Sequence, residues 1–440
     1  MKQESDMLKL MGLSGVEELF ADIPERIRTG KLDLPPGMSE MEVVREIRGM
    51  LASNLTCQDR PCFLGAGAYH HFIPAAVGNI ISRSEFLTSY TPYQPEISQG
   101  LLQALFEYQS YIAELTGLDA VNSSNYDGST ALGEAATMCL RLKERRKFLV
   151  PEALNWEKKS VLKNYAWGPS MEIVEYSYDP YTGGIDLDDL RSKVDPDTSG
   201  IYVEVPNFFG VIDPLASTIK SEFPDLVLVV GVNPLSLGVL KAPGDYGADI
   251  VIGEGQPLGL SMNFGGPFLG IFACRQEHVR KMPGRVIGLT KDEEGERAFC
   301  MTLQTREQHI RRSKATSNIC TNEALLAVAA SVYLSILGQE GLRALAKLNI
   351  TRAKRLAGLI GEIDEYQSPF FDAHHFNEFV IQTPVRPEKL SKLLLKKGII
   401  GGLPLTEHVR ALNEHMLLST TEMHTDEDHD RLIVALKEVL

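Results

Sequence analysis

Six short apolar runs limit how this 440-residue chain can fold more than any other feature. FLVP from Phe148, MEIVEYSY from Met171, GIYVEVPN from Gly200, DLVLVVG from Asp225, ADIVIGEG from Ala248 and FLGIFAC from Phe268 are rich in Val and Ile. They lack clear polar alternation and are bounded by Gly, Pro or Asp. Strands of this kind are covered on both faces, as in a mostly parallel sheet flanked by helices. Helical patterns accompany them: SQGLLQALFEYQSYIAELTG sets Leu101, Leu105, Tyr108, Ile112 and Leu115 on one stripe and stops at Gly117. Residues 61–322 are therefore expected to form a large α/β domain.

Residues 1–60 read as an arm of short helices broken at Pro24 and at Leu34-Pro35-Pro36-Gly37, with Ser39 capping MEVVREIRGML. Such an arm has little core of its own and is expected to pack on the main body or on a partner. Beyond Thr321 the chain returns to helix, then gives FNEFVIQT, a helix at PEKLSKLLLKKG, a short LLST strand and a last helix from Thr425. This mixture makes 323–440 a smaller α+β domain. The 44 Lys and Arg against 58 Asp and Glu leave a formal charge of -14, which repels polyanions, so nucleic acid is not an expected partner. Six scattered cysteines read as reduced thiols, the start lacks a secretory pattern, and no apolar run is long enough for a membrane span. The expected setting is the cytoplasm.

Four segments concentrate polar chemistry. In Tyr90-Thr91-Pro92-Tyr93-Gln94-Pro95-Glu96, two prolines stiffen the backbone around Tyr93 and Gln94, as in a pocket wall, although Pro95-Glu96 also suits an ordinary helix entry. Asn122 to Ala131 leads into a helix whose start is either an anion seat or a simple N-cap. The turns Gly231-Val232-Asn233-Pro234, Gly253-Glu254-Gly255-Gln256-Pro257 and Met262 to Pro267 follow strands, where α/β folds place ligands, yet tight turns need glycine anyway. Thr305 to Thr321 carries Arg306, His309, Arg311, Arg312 and Lys314, which suit an anionic partner or a solvated helix face.

Other features carry less. The adjacent pairs His70-His71 and His374-His375 point to different faces and make poor chelates. Cys57 and Cys62 lack a second nearby pair for zinc, and Thr425-Asp426-Glu427-Asp428 reads as a helix cap, not a calcium loop. No metal site is expected.

Taken together, GAGAYHHFIPAAV, FLTSYTPYQPEISQG, NYDGSTALGEAA, GEGQPLGLSMNFGGP and TREQHIRRSKATSNICT resemble the glycine-cleavage-system P-protein family, the glycine decarboxylases. The likeness is to the N-terminal half, which many prokaryotes make as a separate α subunit, and it runs nearly the whole chain from GVEELFADIP onward. It implies a fold-type-I pyridoxal-phosphate (PLP) transferase architecture. It also implies a complex in which glycine loses CO2 and its aminomethyl group passes to the lipoyl arm of the H-protein. Catalytic chains of that family hold PLP through a lysine and pair its pyridine nitrogen with an aspartate. Here the matching positions are Gln256 and Gly231. A carboxamide forms no imine, and Lys241, in an upstream turn, is not expected to substitute.

The resemblance therefore implies no cofactor-binding residue and no catalytic residue in this chain alone. PLP is expected on a homologous β subunit, in an α2β2 assembly. Tyr90, Tyr93, Gln94 and Glu96, with His70 and His71, are the candidate walls of a shared substrate pocket. The alternatives are a self-sufficient PLP enzyme using another lysine and a purely architectural partner.

Overall fold

The computed structural model describes residues 2–30, 32–262, 267–409 and 411–439, so the Asn263 to Gly266 turn lies outside the described residues. The chain divides into two compact units, Met1–Thr56 and Cys57–Leu440. The first holds helices Lys2–Leu10 and Glu40–Leu51, separated by two short 3-10 turns. Ser39 caps the second helix in a reciprocal box with Glu42, which satisfies two otherwise orphaned N–H groups. Neither that helix nor the turns bury a residue.

In the second unit the apolar runs become a seven-stranded sheet. Its strands are β1 (Ala120–Val121), β2 (Lys147–Pro151), β3 (Glu172–Tyr176), β4 (Thr198–Val205), β5 (Val227–Val232), β6 (Ile250–Glu254) and β7 (Gly270–Cys274). The order is β1-β7-β6-β5-β4-β2-β3. Strands β2 to β6 run parallel and β7 pairs antiparallel with β6. Successive residues of the central strands feed different cores. Leu228, Val230 and Val251 pack with Leu105, Tyr108 and Ile112 of helix Gln99–Thr116, whereas Val227, Val229, Ile250 and Ile252 pack with Leu132, Ala135 and Met138 of helix Gly128–Lys143. Each fully buried aliphatic side chain contributes about 1.5–3 kcal/mol. Helix Gln99–Thr116 ends where Gly117 adopts a left-handed conformation. Helix Ala324–Gly361 is apolar enough for a membrane span by composition, but Ala327, Val328, Tyr333 and Leu334 belong to the large core.

A hairpin of β8 (Val286–Lys291) and β9 (Arg297–Thr302) joins these elements, and the sequence reading did not anticipate it. Its signal was present in the Asp292-Glu293-Glu294-Gly295 turn between two strand-forming runs. Two glutamine side chains dock helix Gln99–Thr116 on this hairpin by two-point amide pairs, Gln99 with the backbone of Phe299 and Gln109 with that of Ile287.

The third sheet comprises β10 (Glu378–Gln382), β11 (Leu403–Pro404) and β12 (His415–Ser419), in the antiparallel order β10-β12-β11. The loop leaving β4 ties it to the large sheet: Ile212 N donates to His374 O at 2.8 Å and Phe376 N to Gly210 O at 3.0 Å. Gly210 has φ +79°, and a Cβ there would stand 2.0 Å from the Glu378 carbonyl oxygen. This close approach sets Glu378 over the carboxyl end of the large sheet. Gly210→Ala is expected to lower unfolding free energy by at least about 2 kcal/mol, read as a fall in the urea midpoint. An unchanged midpoint would contradict this junction.

Candidate functional site

Strands β4, β5 and β6 end together around a cleft, where open α/β sheets bind their ligands. Gln256, just past β6, is 1 % exposed and its amide is fully engaged. Its Oε1 accepts from Tyr69 N at 2.9 Å, and its Nε2 donates to Tyr69 O at 3.0 Å and to Leu260 O at 2.8 Å. On the neighbouring strand, a Cβ on Gly231 would meet the Tyr202 hydroxyl at 2.2 Å. That hydroxyl, rising from β4, donates to Glu204 at 2.7 Å. Tyrosine thus occupies the space into which an aspartate at 231 would extend.

Helix Gly128–Lys143 also opens on this cleft. Asp127 and Thr130 form its capping box, and the Gly128 N–H donates to Glu254 Oε2 at 3.0 Å. Glu254 Oε1 accepts from Gln256 N at 2.9 Å and Leu269 N at 3.0 Å. A side-chain carboxylate therefore sits at the helix start, the position that attracts an external anion in other folds. Burial pushes its pKa up to about 7, against the pull of these three N–H donors.

The remaining walls carry Lys158, ion-paired with Glu204, and Glu378, which accepts from the Tyr69 hydroxyl at 2.7 Å and from Ala66 N. Lys241, by contrast, is exposed and does not line the cleft. The enclosed volume is about 80 Å³, against about 300–1,000 Å³ for ordinary small-molecule pockets. Measured against PLP, these residues do not fit. At the two positions that the resemblance assigns to the coenzyme, Gln256 offers a tethered amide where an imine needs an amine, and the space beside Gly231 holds the Tyr202 hydroxyl; at the helix start, where a phosphate would sit, stands the Glu254 carboxyl.

The six candidate pocket residues lie in two settings. Tyr93 joins a polar cluster built on buried Arg285 and open to solvent on its other side: its hydroxyl accepts from Arg285 Nη2 at 3.0 Å and faces Glu307 at 3.4 Å, and its ring stands edge-on to His309. Tyr90 is 74 % exposed, and Gln94 and Glu96 are also exposed on the same loop. His70 and His71 line a different cavity of about 560 Å³ with Arg60, Met262, Met423 and His424. The His71 Nδ1 pairs with Glu422 at 2.9 Å, and burial, then the neighbouring His71, lowers the pKa of His70. The basic 305–321 segment is no continuous helix face. It is a string of single turns, in which Arg306 is half-buried and donates to the carbonyls of Met282 and Gly284. Sequence reasoning missed Tyr202, Glu254, Lys158, Glu378 and Arg285. None lies in a motif that advertises it; only Glu254, two residues before Gln256, stood within a segment singled out for its chemistry.

Comparison with known proteins gives the family and the fold. The family profile described as "Glycine cleavage system P-protein" matches residues 1–436. A "Probable glycine dehydrogenase (decarboxylating) subunit 1" of Desulfitobacterium hafniense is 46% identical over 443 residues, covering 99% of this chain and 98% of that one. A crystal structure of glycine decarboxylase (P-protein) of the glycine cleavage system, in inhibitor-bound form, superposes with TM-score 0.92 at 40% identity, covering 100% of this chain and 98% of the other. A sphingosine-1-phosphate lyase of Burkholderia pseudomallei shares the fold alone, at 16% identity and TM-score 0.65 over 94% of each chain.

The buried carboxyl of Glu378 is expected to make stability depend on pH. Burial is the first cause that raises Glu378 to about 7, above the value near 4.3 of an unfolded glutamate. Between those values the folded state holds a proton that the unfolded state has released. The contribution is thus present at low pH and lost as pH rises through 7. From pH 5 to 7.5 the unmodified protein should lose about 1–3 kcal/mol of unfolding free energy relative to Glu378→Gln, measured by urea titration. Parallel pH profiles for the two proteins would contradict the assignment.

Proposed function

We infer what this chain does from the fact that it belongs to the glycine cleavage system P-protein family. It is a subunit of glycine decarboxylase, the glycine dehydrogenase (decarboxylating) of that system. The observation that carries the finer reading is that three positions a PLP would need are met by the chain's own Gln256, Tyr202 and Glu254. We propose that this chain holds no PLP and that a homologous β subunit carries it, in an α2β2 assembly in the cytoplasm that delivers the aminomethyl group to the lipoyl arm of the H-protein. The subunit number in the relatives' names supports a partner chain.

In this reading the chain's contribution to chemistry is the loop from Tyr90 to Ser98. Tyr93 presents a hydroxyl whose lone pair is engaged by Arg285 and whose proton points toward Glu307, beside exposed Gln94 and Glu96. Such a surface binds and orients a small zwitterion by hydrogen bonds, and it closes one side of the partner's pocket against water. His70 and His71, in their separate cavity, are proposed as further walls of the shared pocket, apart from the Tyr93 loop. Among the described residues that line the cleft Lys158 is the one lysine, and it is ion-paired with Glu204.

Glycine–bicarbonate exchange should be absent from this chain alone and restored when the catalytic chain is added. In the restored complex, Tyr93→Phe should slow exchange by roughly tenfold to a hundredfold, the loss of one positioned hydrogen bond. Exchange by the isolated chain, or an unaltered rate with Tyr93→Phe, would contradict the reading.

A further inference from the structure

We propose that Arg285 is a positioning residue for the reaction: it clamps the Tyr90–Ser98 loop to the 316–322 loop and so fixes the Tyr93 hydroxyl. Arg285 immediately precedes β8 and is 6 % exposed. A buried guanidinium needs acceptors for a rigid fork of donors, and here they come from two distant segments. Its Nη1 donates to Thr91 Oγ1 at 3.0 Å and to Asn322 Oδ1 at 3.4 Å, while its Nη2 donates to the Tyr93 hydroxyl at 3.0 Å and to the Cys320 carbonyl. The guanidinium carbon also lies 5.4 Å from the centre of the Tyr93 ring, within range of a cation–π attraction. Glu307, 3.9 Å from its Nε, balances the charge.

The backbone of Arg285 is held as firmly as its side chain. Its carbonyl accepts from Ser123 N at 2.7 Å and from Ser123 Oγ at 3.3 Å, and Asn322 Nδ2 donates to the same Ser123 Oγ at 2.9 Å. The 122–125 turn, the 316–322 loop and the Tyr90 loop therefore meet at one side chain. The Tyr93 ring, 44 % exposed, has few other constraints: Arg285, Glu307 and His309 are its polar and aromatic partners. Because Arg285 donates to the phenol oxygen, the phenol's own proton is left for another acceptor, and Glu307 Oε2 stands 3.4 Å away. The arginine thus fixes the place of the hydroxyl and takes up one of its acceptor sites. A lysine has the charge without the fork and reaches fewer of these acceptors.

The proposal rests on the reading of the Tyr90 loop as a wall of the partner's pocket, and its test separates the two. Arg285→Leu, Arg285→Lys, Tyr93→Phe and the double variant Arg285→Leu/Tyr93→Phe are assembled with the catalytic chain. Backbone hydrogen exchange is read over 90–98, 316–322 and the central strands, alongside kcat and KM for glycine in bicarbonate exchange. Arg285→Leu should lose about tenfold or more of the protection in both loops, with β5 and β6 unchanged. Its kcat should fall more than its KM rises, and the double variant should be no slower than Arg285→Leu alone, since both substitutions remove one hydroxyl's placement. Arg285→Lys should fall between, and it carries the test if the leucine variant fails to fold. Wild-type protection in both loops, or penalties that multiply in the double variant, would overturn the clamp. Loosened loops with an unaltered exchange rate in both Arg285→Leu and Tyr93→Phe would overturn the pocket reading, and with it any part of Arg285 in the reaction; an unaltered rate in Arg285→Leu alone would overturn Arg285 as a positioning residue and leave that reading standing.

Discussion

Polar groups at the mouth of a sheet must find hydrogen-bond partners, and at the ends of β4, β5 and β6 this chain finds them within itself. The Gln256 amide closes on Tyr69 and Leu260, Tyr202 reaches across Gly231 to Glu204, and Glu254 seats itself on the first turn of helix Gly128–Lys143. In the reading proposed above, each contact fills a place that a coenzyme would otherwise take, so that the fold serves as a scaffold whose own cleft is satisfied and whose chemistry is offered from its surface. Retaining the scaffold is physically reasonable, because the same strands that would have carried the coenzyme still hold both halves of the core.

The surface that remains available is built with unusual care for a loop. Loops are ordinarily the least constrained parts of a domain, yet the Tyr90–Ser98 segment is pinned at its far end by Gln99 to Phe299 and in its middle by Arg285 to the 316–322 loop. The β8–β9 hairpin underlies both anchors. Its job in the fold is to bring two stretches about two hundred residues apart in sequence into register beside one tyrosine.

The strands were legible because doubly covered strands show as continuous Val and Ile runs, and helix Gln99–Thr116 because its apolar stripe ends at a glycine. The capped starts at Ser39 and Thr425 were also legible, since a hydroxyl three residues before an acid is a local signal. That 231 and 256 are the positions of the coenzyme's partners is an expectation drawn from resemblance alone. The contacts the structure shows around them were not legible. Tyr202 lies inside an apolar run, and Glu254 reaches a helix start more than a hundred residues away in sequence. Arg285 sits in an undistinguished MPGRVIG stretch, and its partners converge only after the hairpin has formed. Nor does sequence show that His70 and His71 line a cavity apart from the Tyr93 cluster, since that separation is set by long-range packing.

The most direct measurement is an electron-density map of this chain in complex with its catalytic partner, prepared with saturating PLP. The account predicts coenzyme density in the partner's cleft alone. In this chain's cleft the Tyr202 hydroxyl and the Glu254 carboxylate should stand where they do now, and the Gln256 amide should remain bonded to Tyr69. Coenzyme density within this chain, bonded to Lys158 or any other lysine, would contradict it.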